Sequence, residues 1–162
     1  MTRAVPLADR RHPIPALPTE ATVWMHRDGS LYEPNATDAY FIHDGLAFLY
    51  SNSTLRPKPV TYSISPLPHN ESFVTLATPQ GELCRKQWPY YINCTAGQDV
   101  TTAPVWPIQV EWKPENKRWD LVSDSTWGWS IVWTLADNEV VLNDAPYLTG
   151  WEVWLDKPGK TV

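Results

Sequence analysis

The sequence predicts an all-β protein: one domain built as an antiparallel β-sandwich or flattened barrel of about ten to twelve strands. Three observations predict it. Sixteen prolines are spread through 162 residues, which leaves no room for a long helix. No eleven-residue window combines helical apolar spacing with freedom from helix breakers. Short β-prone runs recur instead, with apolar residues at every second position and turn residues between them.

In chain order, residues 1–20 carry Pro6, Pro13, Pro15 and Pro18 and read as an extended arm. Residues 21–162 form the Trp-rich β-domain. Asp28-Gly29 and Asp44-Gly45 suit tight hairpins, and Asp137-Asn138 does so more weakly. In Leu46–Tyr50, Leu46, Phe48 and Tyr50 share a face. The segment Pro57–Pro68 is expected on a sheet edge or as a surface connection, because proline cannot donate to a ladder. In "VWPIQVEW", Trp106, Ile108, Val110 and Trp112 face one way, and Trp119 and Leu121 resume the pattern after a turn at Pro114–Lys117. "YFIHDGLAFLY" and "WTLADNEVVL" share a loose pattern that raises a β-trefoil as the alternative fold. The turns near 28, 44, 116 and 137 are unevenly spaced, however, and show no threefold repeat.

Ten tryptophans are present, three of them in "STWGWSIVW" with an echo in "GWEVW". As a strand, the first stretch puts Trp127, Trp129, Ile131 and Trp133 on one face. Such a face exposed to water would be a large apolar patch, so Trp129 and Trp133 are expected in the core. In the echo, Trp151, Val153 and Leu155 alternate with Glu152, Trp154 and Asp156. Trp154 is therefore expected on the solvent side among carboxylates, where an indole can stack on a sugar. Trp88 and Tyr90 are the further glycan-stacking candidates.

Charge and cysteine content bear on partners and compartment. The formal net charge is −5 and the basic residues are scattered, which argues against a nucleic-acid partner. No apolar run approaches the ~20 residues of a membrane span. Four of seven asparagines, Asn35, Asn52, Asn70 and Asn93, lie in Asn-x-Ser/Thr, where chance would place about one. That excess points to export and N-glycosylation. The two cysteines, Cys84 and Cys94, agree with it as a disulfide. The first residues contain no signal-peptide-like apolar stretch, so the expectation is a mature N-terminus.

No catalytic constellation stands out. His12 lies in the arm, His69 in a Pro-rich turn, and His26 and His43 just before Asp-Gly pairs, where solvated hairpin residues are usual. Nucleophile-elbow, zinc-protease and phosphate-loop motifs do not occur, and neither a metal nor a cofactor is implied. Glu111, Glu139 and Glu152 are the acids from which a glycoside hydrolase could draw a pair.

"DAYFIHDGLAFLYSN", "ATPQGELC", "GWSIVW", "ADNEVVLND" and "GWEVWLDKPG" together resemble the fungal phiA-like cell-wall proteins, over roughly Ala21 to Gly159. The resemblance implies a small secreted cell-wall protein linked to spore-forming structures, with no catalytic residue to carry over. The expectation is thus a non-enzymatic secreted glycoprotein of a fungal wall or surface, with weak affinity for wall polysaccharide. A secreted glycoside hydrolase, or an effector- or allergen-type binding protein, is the alternative.

Overall fold

The computed structural model describes residues 13–29, 37–42, 45–48, 57–87, 91–93, 107–123, 128–133, 138–141 and 150–159. Within these, every element is a strand: β1 (Glu20–Arg27), β2 (Thr37–Ile42), β3 (Gly45–Phe48), β4 (Tyr62–Leu67), β5 (Asn70–Ala77), β6 (Leu83–Gln87), β7 (Tyr91–Asn93), β8 (Ile108–Lys113), β9 (Arg118–Leu121), β10 (Ser130–Trp133), β11 (Asn138–Val141) and β12 (Glu152–Asp156). All pairings between them are antiparallel.

Six strands close on themselves. β1 pairs with β4, β4 with β5, β5 with β8, β8 with β9, β9 with β12, and β12 returns to β1. The flattened barrel expected from the sequence is therefore the architecture. The remaining strands form three hairpins, β2–β3, β6–β7 and β10–β11. The chain thus repeats one plan three times, over 20–67, 70–113 and 118–156: barrel strand, hairpin, barrel strand. That order of barrel strands and hairpins is the connectivity of a β-trefoil, the alternative raised above.

The register repeats along with the connectivity. Ala21 faces Tyr62, Val74 faces Ile108 and Trp119 faces Leu155, one such pair from each repeat. All six belong to the core or pack against it. Val23, Leu76, Leu121 and Val153 extend this interior, each 3% exposed or less. Burial alternates along β8, where Ile108 and Val110 are buried while Gln109 and Glu111 are exposed, as the period-two pattern requires.

Four turn and edge expectations need correction. Asp28-Gly29 does not make a tight hairpin, because β1 ends at Arg27 and β2 begins only at Thr37. Ile42 faces Gly45, so the two residues between β2 and β3 are 43 and 44, and Gly45 is already in the strand. Asn138 likewise opens β11 opposite Trp133. The Pro57–Pro68 segment is not an edge: its second half is β4, which is paired on both sides and forms part of the barrel wall. Pro66 is tolerated there because the β4–β5 register shifts between Pro66 and Leu67, and an irregularity is where a missing N–H does least harm.

The tryptophan echo is a contact. Trp129 and Trp151 form an antiparallel bridge, with the Trp151 N–H donating to the Trp129 carbonyl at 3.0 Å. The preceding residues, Gly128 and Gly150, have φ of 81° and 84°. A Cβ on Gly128 would lie 3.7 Å from the Gly150 Cα. Both Trp129 and Trp151 are core residues, as expected for Trp129, and the Trp129 indole N–H donates to the Leu121 carbonyl at 2.8 Å. The Trp133 side chain, like Trp127, lies outside the described residues.

Candidate functional site

The strands β9, β12, β1 and β2 lie side by side and share an outer face. One row across it runs Asp120, Trp154, Trp24, Tyr40, each directly opposite the next. Trp24 and Tyr40 are buried and their rings are 4.9 Å apart. The Tyr40 hydroxyl donates to the Pro57 carbonyl at 2.7 Å, and the Trp24 indole N–H donates to the Thr22 hydroxyl at 2.9 Å. The sequence places Trp154 correctly on the face opposite Val153 and Leu155.

Its surroundings differ from the expected exposed platform. Trp154 is half-buried, and the Arg118 guanidinium carbon sits 4.0 Å from the centre of its ring. Arg118 is fixed in turn: Nε donates to Asp120 Oδ1 at 2.6 Å, and Nη2 donates to Asp120 Oδ2 and Glu152 Oε2, each at 3.4 Å. Burial pulls the Arg118 pKa down, but these two carboxylates outweigh it and leave it raised. Burial pushes the Asp120 carboxyl up, against the opposing pull of Arg118. One indole, one guanidinium and two carboxylates thus lock together across β9 and β12.

Where this group meets the chain's N-terminal arm there is a cleft of about 630 Å³. The arm residues Pro15 and Pro18 form one wall, the β8–β9 turn with Asn116 and Lys117 another, and the end of β12 with Trp154 a third. Trp112 and Trp119 also line it, with ring centres 5.7 Å apart and nearly edge-to-face. Lys117 takes φ of 51°, the left-handed region that a non-glycine residue seldom enters. The Trp119 indole N–H is buried and has no hydrogen-bond partner among the described residues. Three indoles, the Asn116 amide and the charged side chains of Glu20, Lys117, Arg118, Asp156 and Lys157 thus surround one concave space, and apolar walls with a few polar groups are what small-ligand sites use.

In the sequence Trp112 and Trp119 are strand-face residues, and nothing there marks them as neighbours of Trp154. The signal that could have found them is the proline arm, which a core would not need. The other stacking candidates, Trp88 and Tyr90, lie outside the described residues. So do Asn35, Asn52 and Cys94, and the Asn93 side chain. Asn70 is exposed at the start of β5, where its Oδ1 accepts the Ser72 N–H at 3.1 Å. Cys84 is buried and disulfide-bonded, and Cys94 is the only other cysteine of the chain.

Of the acids considered for catalysis, Glu111 is bound to Lys113 at 3.0 Å and Glu152 to Arg118, while the Glu139 side chain lies outside the described residues. His26 is not an ordinary solvated hairpin residue. It is half-buried in β1 with Nδ1 2.5 Å from Asp38 Oδ1 and Nε2 2.9 Å from Asp28 Oδ1. Among the described residues no group of three His, Cys, Asp or Glu side chains is placed to hold a metal ion, and no helix is long and apolar enough to cross a membrane.

Comparison with known protein families, with curated proteins and with solved structures finds no match for this chain.

Proposed function

We propose that this chain is a non-enzymatic exported glycoprotein of a cell surface or wall that binds glycan in the cleft between the proline arm and the β8–β9 turn. The observation that carries the reading is the set of Trp112, Trp119 and Trp154 around one cleft of about 630 Å³. Indole faces suit the C–H faces of pyranose rings, and a cleft of this volume falls in the range of small-ligand sites. Export is supported by the four sequons, by the exposed position of Asn70 and by the disulfide at Cys84. The resemblance to fungal phiA-like proteins supports a wall or spore-surface location.

The test combines expression and binding. Produced in a eukaryotic host, the protein should run heavier than 18.5 kDa and return to that mass after N-glycosidase treatment; an unmodified mass would remove the export argument. The purified protein should be retained by wall polysaccharide. Trp154→Ala and Trp112→Ala should each weaken retention by about tenfold, since loss of a stacked aromatic removes roughly 1–2 kcal/mol. Retention unchanged in both, with melting temperatures showing folded protein, would move the site elsewhere.

A further inference from the structure

Resting on that reading, we infer that the cleft selects uncharged polysaccharide and draws little affinity from electrostatic attraction. Its walls carry charges of both signs, two acids against three bases, and one of the bases is already paired. Glu20 and Asp156 stand against Lys117, Arg118 and Lys157. Arg118 lies over Trp154, and it is already engaged by Asp120 at 2.6 Å and Glu152 at 3.4 Å. Its guanidinium carbon lies 4.0 Å from the centre of the Trp154 ring. An acidic chain would therefore have to compete with two resident carboxylates for that guanidinium, and a basic chain would have to draw those carboxylates away from it.

The other charges are poor anchors for the opposite reason. Glu20, Lys117 and Lys157 are exposed side chains whose pairing with a ligand ion would be screened by salt and opposed by side-chain entropy. The Asp156 carboxylate accepts the Lys157 backbone N–H at 2.8 Å. The uncharged groups that the cleft offers are the Trp112 and Trp119 indoles, the part of Trp154 that Arg118 leaves uncovered, the Asn116 amide and the proline wall. Hydroxyl-rich chains with apolar ring faces match these groups, whereas uronate, sulfate or amine groups find no partner that is both buried and unengaged.

The experiment measures binding of the intact protein to three soluble classes. These are neutral chains (a β-glucan, an α-mannan and chitin oligomers), an acidic chain (polygalacturonate) and a cationic chain (chitosan oligomers). Each is titrated at about 50 mM and about 500 mM NaCl, a range that takes the screening length from above 10 Å to a few ångströms. The expected result is that a neutral chain binds tightest and its Kd changes by less than about twofold with salt. Tightest binding of polygalacturonate or chitosan, weakening about tenfold or more over the same range, would overturn the inference while leaving glycan binding in place. Failure of every class to bind at either salt would overturn the glycan reading itself, and this inference with it.

Discussion

Trp129 and Trp151 meet across the top of the barrel as antiparallel partners, each introduced by a glycine in the left-handed region. The backbones approach at these glycines, and the indole of Trp129 reaches on to cap the carbonyl of Leu121 at the end of β9. This one contact joins the start of β10, the start of β12 and the end of β9. Trp129→Ala should cost about 3–5 kcal/mol, from an empty indole volume and a buried carbonyl left without its donor. Gly150→Ala, with open space around the new methyl, should cost only about 1–2 kcal/mol, from the φ of 84° alone. Urea melts of the two variants check the order, and equal losses would show that the backbone conformation matters more than the ring.

Cys84 is buried beside the core in β6, opposite Leu76. The native protein should show no titratable thiol, and reduction should lower the melting temperature without unfolding the domain at room temperature. Closing the ten-residue separation to Cys94 by the chain-entropy model contributes roughly 2–3 kcal/mol. Thiol counting before and after reductant, with paired thermal scans, checks this; two reactive thiols in native protein would contradict it.

Arg118 and Trp154 should be coupled. Trp154→Ala should destabilise by about 1–3 kcal/mol, since the ring is half-buried and supports the guanidinium. Arg118→Lys loses the stacked plane and the forked contact to Asp120 although it keeps the charge. A double-mutant cycle should give an interaction of about 0.5–2 kcal/mol. Strict additivity would mean that the ring and the guanidinium are neighbours without being partners.

His26 gives the fold a dependence on pH. Burial works against its charged form, but the hydrogen bonds it donates to Asp28 and Asp38, and their charges, outweigh it, and the pKa is raised above 6.5. A raised folded-state value means that protonation favours the fold. The contribution is complete below about 6.5 and is lost as pH climbs through the folded value. The stability difference between the wild type and His26→Gln should therefore be larger at about pH 5.5 than at about pH 8.5. An NMR titration giving an imidazole pKa below 6.5, or a difference that grows with pH, would contradict it.

Much of the barrel was legible because alternation is a local property. Ile108, Val110, Leu121, Val153 and Leu155 all point inward as the period-two pattern requires. The threefold plan was hidden because it lives in the pairings between strands, and the turns that join them differ in length from repeat to repeat. Pro68-His69 links the first two repeats, whereas Pro114–Lys117 links the second to the third. Trp154 shows the same limit at the site. Its own strand gives the face it occupies, but Arg118, which stacks on that face, comes from a segment more than thirty residues earlier. The cleft was further from view still, since arm, turn and last strand contribute one wall each.

The closure of β1 against β12 has a consequence for how the molecule is made. Thr22 and Asp156 meet across 134 residues of chain, so the first barrel strand to leave the ribosome waits for the last. Until then β1 can pair with β2 and with a short stretch of β4, and its other side presents unpaired backbone groups. Such an edge is a template for pairing with another chain, and contacts this distant in sequence form slowly. Vectorial synthesis thus leaves an edge open until β12 arrives, and a chain cut short before Glu152 could never complete the ring.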